Sequence, residues 1–201
     1  RDAFHEILVM ALDRPYLFSR ITGVLSSYGM NILRAQAFAN RSGVVFDLIT
    51  FEDVEERLRK NPGEVDGLQE VMEDAVAGRV QVDRLLRRRA ASVIYRRKKG
   101  VVPTGIHFDD ESSERCTILE IYASDDIGLL FHISRVLSDH GCNIEVALIT
   151  TEGNRAIDVF YLTKDNARLP LELQELLQGN LLGALQSLTP AVERIPRTKT
   201  L

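Results

Sequence analysis

The chain contains an internal repeat, and this repeat constrains its fold more than any single motif does. Segments 11–32 and 123–144 align in register with a constant spacing. The pairs that are identical between the copies are Asp13/Asp125, Leu17/Leu129, Ile21/Ile133, Val24/Val136, Leu25/Leu137, Ser26/Ser138, Gly29/Gly141, Asn31/Asn143, Ile32/Ile144 and Ala35/Ala147. Such a repeat predicts two copies of one small domain. The surfaces where the copies face each other are the natural place to look for function.

The composition agrees with two globular domains and excludes several classes of protein. With 201 residues, 45% hydrophobic and 27% charged, the chain can bury a core in each half. A net charge of −4 argues against a nucleic-acid partner. Since the sequence lacks an apolar run of about 20 residues and a signal-peptide pattern, we expect no membrane partner and a cytoplasmic location. The chain begins with Arg1 directly before a strand-like pattern, so we expect it to be part of a longer protein.

Hydrophobic periodicity predicts the order strand, helix, strand, strand, helix, strand in each copy. In the first copy it predicts strands at 4–12, 31–39, 44–51 and 104–110, and helices at 17–28 and 62–89. In the second copy it predicts a first helix on the same spacing, a second helix at 170–188, and strands at 143–151, 156–162 and 191–195. This order is the ferredoxin-like (βαββαβ) layout of an α+β protein, with antiparallel sheets and the helices on one face. We place the first domain at 1–110, including a linker at 97–103, and the second at 115–201.

The repeated pattern resembles the signature of the ACT domain, a small ligand-sensing module with this layout. Residues 13–32 spell Asp-Arg-Pro-x-Leu-x(3)-Ile-x(2)-Val-Leu-x(3)-Gly-x-Asn-Ile, and 125–144 resemble it equally well. The tandem arrangement, with its basic inter-repeat segment, is similar to the C-terminal region of bacterial enzymes that uridylylate and deuridylylate the PII signal protein. The resemblance implies a regulatory region that senses a small amino acid, glutamine above all, and controls catalytic domains upstream in the same chain. It also implies a PII-type protein as a partner of the parent enzyme.

The turn before the first helix of each copy is the candidate binding site. Backbone N–H groups at a helix N-terminus attract a carboxylate, and a nearby aspartate with an asparagine amide can accept hydrogen bonds from an ammonium group. ACT domains hold their ligands with these two elements at the boundary between paired domains. The resemblance therefore carries over to Asp13, Arg14, Asn31 and Ile32 of the first copy and to Asp125, Asp126, Gly128, Leu129, Asn143 and Ile144 of the second.

Each copy departs from the family pattern in a different place. The first has Tyr16 where the family usually has glycine, whereas the second keeps Gly128 but replaces Arg-Pro with Asp126 and Ile127. Because glycine permits close approach of a ligand to the backbone, this favours the second loop, with Gly128 and Asn143, as the main contributor.

The remaining histidines and cysteines give no indication of a catalytic site. The four histidines, and the cysteines Cys116 and Cys142, lack metal-ligand or redox spacing, and we expect reduced, partly buried thiols. We therefore expect this segment to contain neither catalytic residues nor a metal or other cofactor, although its parent protein would be a uridylyltransferase. The basic run at 84–99 favours a solvated helix end and linker outside the pocket, or a docking surface. The alternative function is a stand-alone ACT-type ligand-binding or interaction module acting on a protein or nucleic-acid partner.

Overall fold

The computed structural model describes residues 4–39, 43–92 and 102–188, and it has the predicted α+β architecture. Its elements are β1 (Phe4–Leu12), α1 (Leu17–Ser27), β2 (Asn31–Ala39), β3 (Val44–Glu52), α2 (Arg57–Lys60), α3 (Glu64–Val76), α4 (Val82–Ser92), β4 (Gly105–Asp109), β5 (Thr117–Ser124), α5 (Leu129–Asp139), β6 (Asn143–Glu152), β7 (Arg155–Thr163) and α6 (Leu171–Leu188). We refer to β1–α4 as the N-terminal unit and to β4–α6 as the C-terminal unit.

The strands of both units form one seven-stranded antiparallel sheet, in the order β1-β3-β2-β6-β7-β5-β4. The units join edge to edge through β2 and β6, where Ala35 pairs with Ala147. These alanines are equivalent positions of the repeat, and the neighbouring pairs are arranged symmetrically around them. The two units are therefore related by a pseudo-twofold axis that passes between Ala35 and Ala147.

The first helix of each unit buries its aliphatic stripe, as its periodicity predicts. Ile21 and Leu25 of α1, and Ile133 and Leu137 of α5, are fully buried. The same two helices also pack against each other, so they extend the unit boundary from the sheet into the helical layer. Burial of a Leu or Ile side chain contributes about 1.5–3 kcal/mol, which fixes these helices on the sheet.

The fourth strand predicted for the N-terminal unit belongs to the other unit. β4 lies within 104–110 as predicted, but it pairs with β5, with Ile106 opposite Ile121, and not with β1. A short loop joins β4 to β5, and Asp109 accepts hydrogen bonds from the backbone N–H groups of Glu111 and Ser112 at 2.7 and 3.1 Å. Closing this local hairpin costs less chain entropy than returning to the distant β1. The strand predicted at 191–195 lies outside the described residues.

The helix predicted at 62–89 is divided. α3 ends at Val76, and the chain then turns at Gly78, which has φ +77. The N–H of Arg79 donates to the carbonyl of Asp74 at 2.7 Å, which closes the C-terminus of α3. α4 then packs across α1, with Val82 and Leu86 buried. The second helix of the C-terminal unit, α6, has the predicted bounds to within one residue.

The outer face of β1 is exposed and mostly apolar, with Glu6 as its one charged residue. Phe4, Leu8, Met10 and Leu12 point away from the helices, and each side chain is more than half exposed. Among the described residues, no helix is long and apolar enough to cross a bilayer.

Candidate functional site

Two cavities lie at the boundary between the units, related by the pseudo-twofold axis. In the first, of about 460 Å³, the turn at 13–18 of the N-terminal unit faces 141–145 of the C-terminal unit. In the second, of about 260 Å³, the turn at 125–130 faces 29–32. Equivalent positions of the repeat line both cavities. Each cavity is thus built from both units.

All of the predicted site residues line one of these cavities, but the structure combines them crosswise. The first cavity contains Asp13, Arg14, Asn143 and Ile144, and the second contains Asp125, Asp126, Gly128, Leu129, Asn31 and Ile32. Gly128 and Asn143, which were predicted to contribute to one site in the second copy, therefore lie in different cavities. The reason is the pairing of β2 with β6, which brings the start of each second strand toward the first turn of the other unit.

The turn of the N-terminal unit is attached to the other unit by Tyr16. Its backbone N–H donates to Ser138 Oγ at 2.8 Å, and its hydroxyl donates to Asp139 at 2.7 Å. Tyr16 has φ +67, close to the +81 of its equivalent Gly128. The two hydrogen bonds hold this non-glycine residue in a left-handed conformation and form one wall of the first cavity.

Sequence analysis missed two aspartates that lie deep in the cavities. Asp47 of β3 lines the first cavity and Asp158 of β7 the second, and they are 2% and 1% exposed. Within the described part of the chain, one oxygen of Asp47 and both oxygens of Asp158 have no hydrogen-bond partner. Burial, reinforced by the charges of Asp13 and Asp125, raises the pKa of each to about 7. The available signal was a matching aspartate within an apolar strand of both copies.

Helix α4 covers the second cavity. A Cβ placed on Gly128 would lie 3.1 Å from the side chain of Leu86, and one on Gly29 would lie 2.5 Å from Arg89 Nη2. Arg89 makes an ion pair with Glu55 at 2.5 Å, and its buried Nε has no hydrogen-bond partner among the described residues. The prediction that the whole basic run lies outside the pocket is therefore wrong for Arg89. It is a cavity residue because α4 packs back over α1.

The electrostatics of both cavities suit a small zwitterion. Each combines a buried aspartate with at least one arginine: Arg89 in the second cavity, and Arg14 with Arg115 at the first. A carboxylate can accept hydrogen bonds from an ammonium group while a guanidinium donates to a carboxylate. The described residues contain no group of three or more His, Cys, Asp or Glu side chains that could hold a metal ion.

The two cysteines are free thiols, as predicted. Cys116 is half-buried and Cys142 is buried. Cys142 lines the first cavity, where burial raises the pKa of its thiol to about 11. It therefore contributes a neutral apolar surface to the cavity wall.

Known proteins are similar to this chain in two ways. Residues 117–178 match the ACT domain family. Bifunctional uridylyltransferase/uridylyl-removing enzymes are similar to most of the chain: that of Rhodospirillum rubrum is 30% identical over 80% of the chain, and that of Gluconobacter oxydans is 32% identical over 89%. The chain spans 17% and 20% of the length of these two relatives. The match lies within the C-terminal unit, and the N-terminal unit repeats the sequence pattern and strand order of that unit.

Proposed function

We propose that this tandem of ACT units is an amino-acid-sensing regulatory region, with glutamine as its ligand, in a PII-modifying uridylyltransferase/uridylyl-removing enzyme. The observation that carries the proposal is the pair of cavities shared between the two units. A ligand in such a cavity contacts both units at once. Its binding therefore depends on how the units are arranged, which is the requirement for a regulatory site.

The dimensions and the polar groups of the cavities support a small amino acid. Volumes of about 260 and 460 Å³ accommodate a molecule of the size of glutamine. In the second cavity the ligand ammonium group would contact Asp158 and Asp125, and its carboxylate would contact Arg89 and the first turn of α5.

Regulation follows from thermodynamic linkage. A ligand that contacts both units stabilises the arrangement in which both halves of the site are in place, and it shifts the population toward that arrangement. If the active state of the catalytic domains requires the same arrangement, ligand binding would also favour that active state. The coupling free energy between the two sites is typically about 1–3 kcal/mol. The relatives are several times longer than this chain, and their names describe two opposing activities, which a single sensor could switch.

Isothermal titration calorimetry of the chain with the twenty amino acids tests the proposed function. We expect glutamine to bind with saturable heat, and the deaminated analogue 4-carbamoylbutanoate to fail. Absence of saturable binding by any amino acid would overturn the proposal. Because the described residues hold no group of His, Cys, Asp or Glu side chains that could bind a metal ion, we also expect the chain alone to show neither uridylyl transfer to PII nor its removal.

A further inference from the structure

Asp47 and Asp158 occupy equivalent positions in the two units, each as the fourth residue of its strand, β3 and β7 respectively. Their neighbours facing the same side of these strands are apolar: Val45 and Ile49 in β3, and Ala156 and Phe160 in β7, all buried. Apolar neighbours cannot donate hydrogen bonds to a carboxylate, so they do not compensate the free energy lost when it is desolvated.

An unpaired buried carboxylate is costly for a fold. Loss of hydration without a hydrogen bond costs several kcal/mol, and most buried polar atoms in proteins are paired. Both oxygens of Asp158 and one oxygen of Asp47 lack a partner within the described residues. Both side chains line a cavity, so a ligand that enters can supply the missing partner.

We propose that Asp47 and Asp158 are the groups that recognise ammonium in the two cavities, so that each cavity accepts only ligands with a primary ammonium group. This inference rests on the proposed function and specifies that the ammonium group of the ligand is recognised by these two side chains. An ammonium group has three donors and fits a pair of carboxylates, here Asp47 with Asp13 and Asp158 with Asp125. Ca²⁺ and Mg²⁺ prefer six or more oxygen ligands, which neither pair supplies.

The charged and titratable groups around each aspartate make binding dependent on pH. Asp158 shares its cavity with Asp125 and Asp126 before α5 and with Arg89 of α4. The groups that share the cavity of Asp47 are Asp13, Arg14, Tyr16, Arg115, Cys142 and Glu145. Burial, and then the carboxylate of Asp13 beside Asp47 or of Asp125 beside Asp158, opposes ionisation and raises the pKa of each deep aspartate to about 7.

An ammonium ligand favours the ionised carboxylate, so binding releases a proton wherever the free site was protonated. Affinity should therefore rise with pH, about tenfold between pH 6 and pH 8 for a site with a free pKa near 7. Above pH 8 it should level off. The released proton makes the calorimetric enthalpy depend on the ionisation enthalpy of the buffer.

The test is calorimetric titration of the wild-type chain and of Asp47→Asn and Asp158→Asn at pH 6, 7 and 8, in two buffers. We expect each amide variant to lose its own site, with at least tenfold weaker glutamine binding there, and the pH dependence and proton release of that site to disappear. Asp66→Asn, which removes an exposed carboxylate from α3, is the matched control and should bind as the wild type does.

Measurements on the wild type alone also test the inference, so the test remains possible if an amide variant misfolds. Binding of 4-carbamoylbutanoate as tight as that of glutamine, or glutamine binding without proton release at pH 6, would overturn this inference and leave the proposed function intact. If no amino acid binds, the proposed function fails. Butylammonium binding that is lost in the amide variants would then still support ammonium recognition, and absence of butylammonium binding would overturn it as well.

Discussion

Tyr16 and Gly128 occupy the same position in the two units and share a left-handed backbone conformation. For a residue with a Cβ this conformation costs about 1–2 kcal/mol. At Tyr16 the cost is offset by hydrogen bonds to Ser138 and Asp139 across the unit boundary. At Gly128 the space that a side chain would need is occupied by Leu86. The first turn is therefore attached to the other unit, and the second is covered by α4.

Replacement of Gly128 by alanine should destabilise the protein more than the backbone conformation alone explains. Its Cβ would lie 3.1 Å from Leu86, at a φ of +81. Gly153, with φ +66 and no atom within 4 Å of the position that a Cβ would take, is the matched control. In urea unfolding, we expect Gly153→Ala to lose about 1 kcal/mol and Gly128→Ala clearly more. Equal losses of unfolding free energy in the two variants would show that the Leu86 side chain moves aside without an energetic penalty.

Stability should fall as pH rises because of Asp158. Its pKa is about 7 in the folded state against an ordinary value of 3.8, so the folded protein holds this proton more tightly than the unfolded chain does. The stabilising contribution is complete below about pH 4 and is lost as pH rises through 7. Between pH 5 and pH 8, we expect the free energy of unfolding to fall by on the order of 2 kcal/mol more in the wild type than in Asp158→Asn. If urea unfolding gave the same pH dependence of the free energy of unfolding for the wild type and Asp158→Asn, this prediction would be contradicted.

The repeat was sufficient to predict most helices and strands. The stripe of α1, the turn before it and the strand pair after it are local patterns, and they recur in α5, β6 and β7. The partner of β4 could not be predicted in this way. Its sequence fits a fourth strand of either unit, and only competition between a short hairpin and a distant edge decides the outcome.

The division of the second helix shows a similar limit. The segment 62–89 has helical periodicity on both sides of Gly78, and an isolated glycine inside a helical pattern does not require a break. The break is decided by tertiary packing, because Val82 and Leu86 are buried only when α4 turns back over α1. The position of Arg89 in the second cavity follows from this turn.

The basic residues of α4 should therefore separate into two classes. Arg87 and Arg88 are exposed, whereas Arg89 lines the second cavity. We expect Arg89→Ala to weaken glutamine binding at that cavity about tenfold or more, since a charge-assisted hydrogen bond contributes roughly 1.5–3 kcal/mol. Arg87→Ala and Arg88→Ala are the controls and should leave calorimetric affinity unchanged. A loss of affinity in these controls alone would place the site elsewhere.

The continuous seven-stranded sheet determines which residues of the two units meet. Sequence analysis could name the residues of the two turns and of the Asn-Ile pairs, because they are repeated motifs. It could not say which turn faces which asparagine, since that depends on the pairing of Ala35 with Ala147. Asp47 and Asp158 were missed because a matching aspartate in two apolar strands points to a binding site only once its burial is known.

Whether each site is shared between the units can be decided by counting glutamine sites in two double variants by calorimetry. Asp158→Asn with Asn31→Ala removes two residues of one cavity, although they come from different units. Asp158→Asn with Asn143→Ala removes one residue from each cavity, both within one unit. We predict two sites in the wild type, one in the first double variant and none in the second. One site in the second and none in the first would contradict the shared-site account.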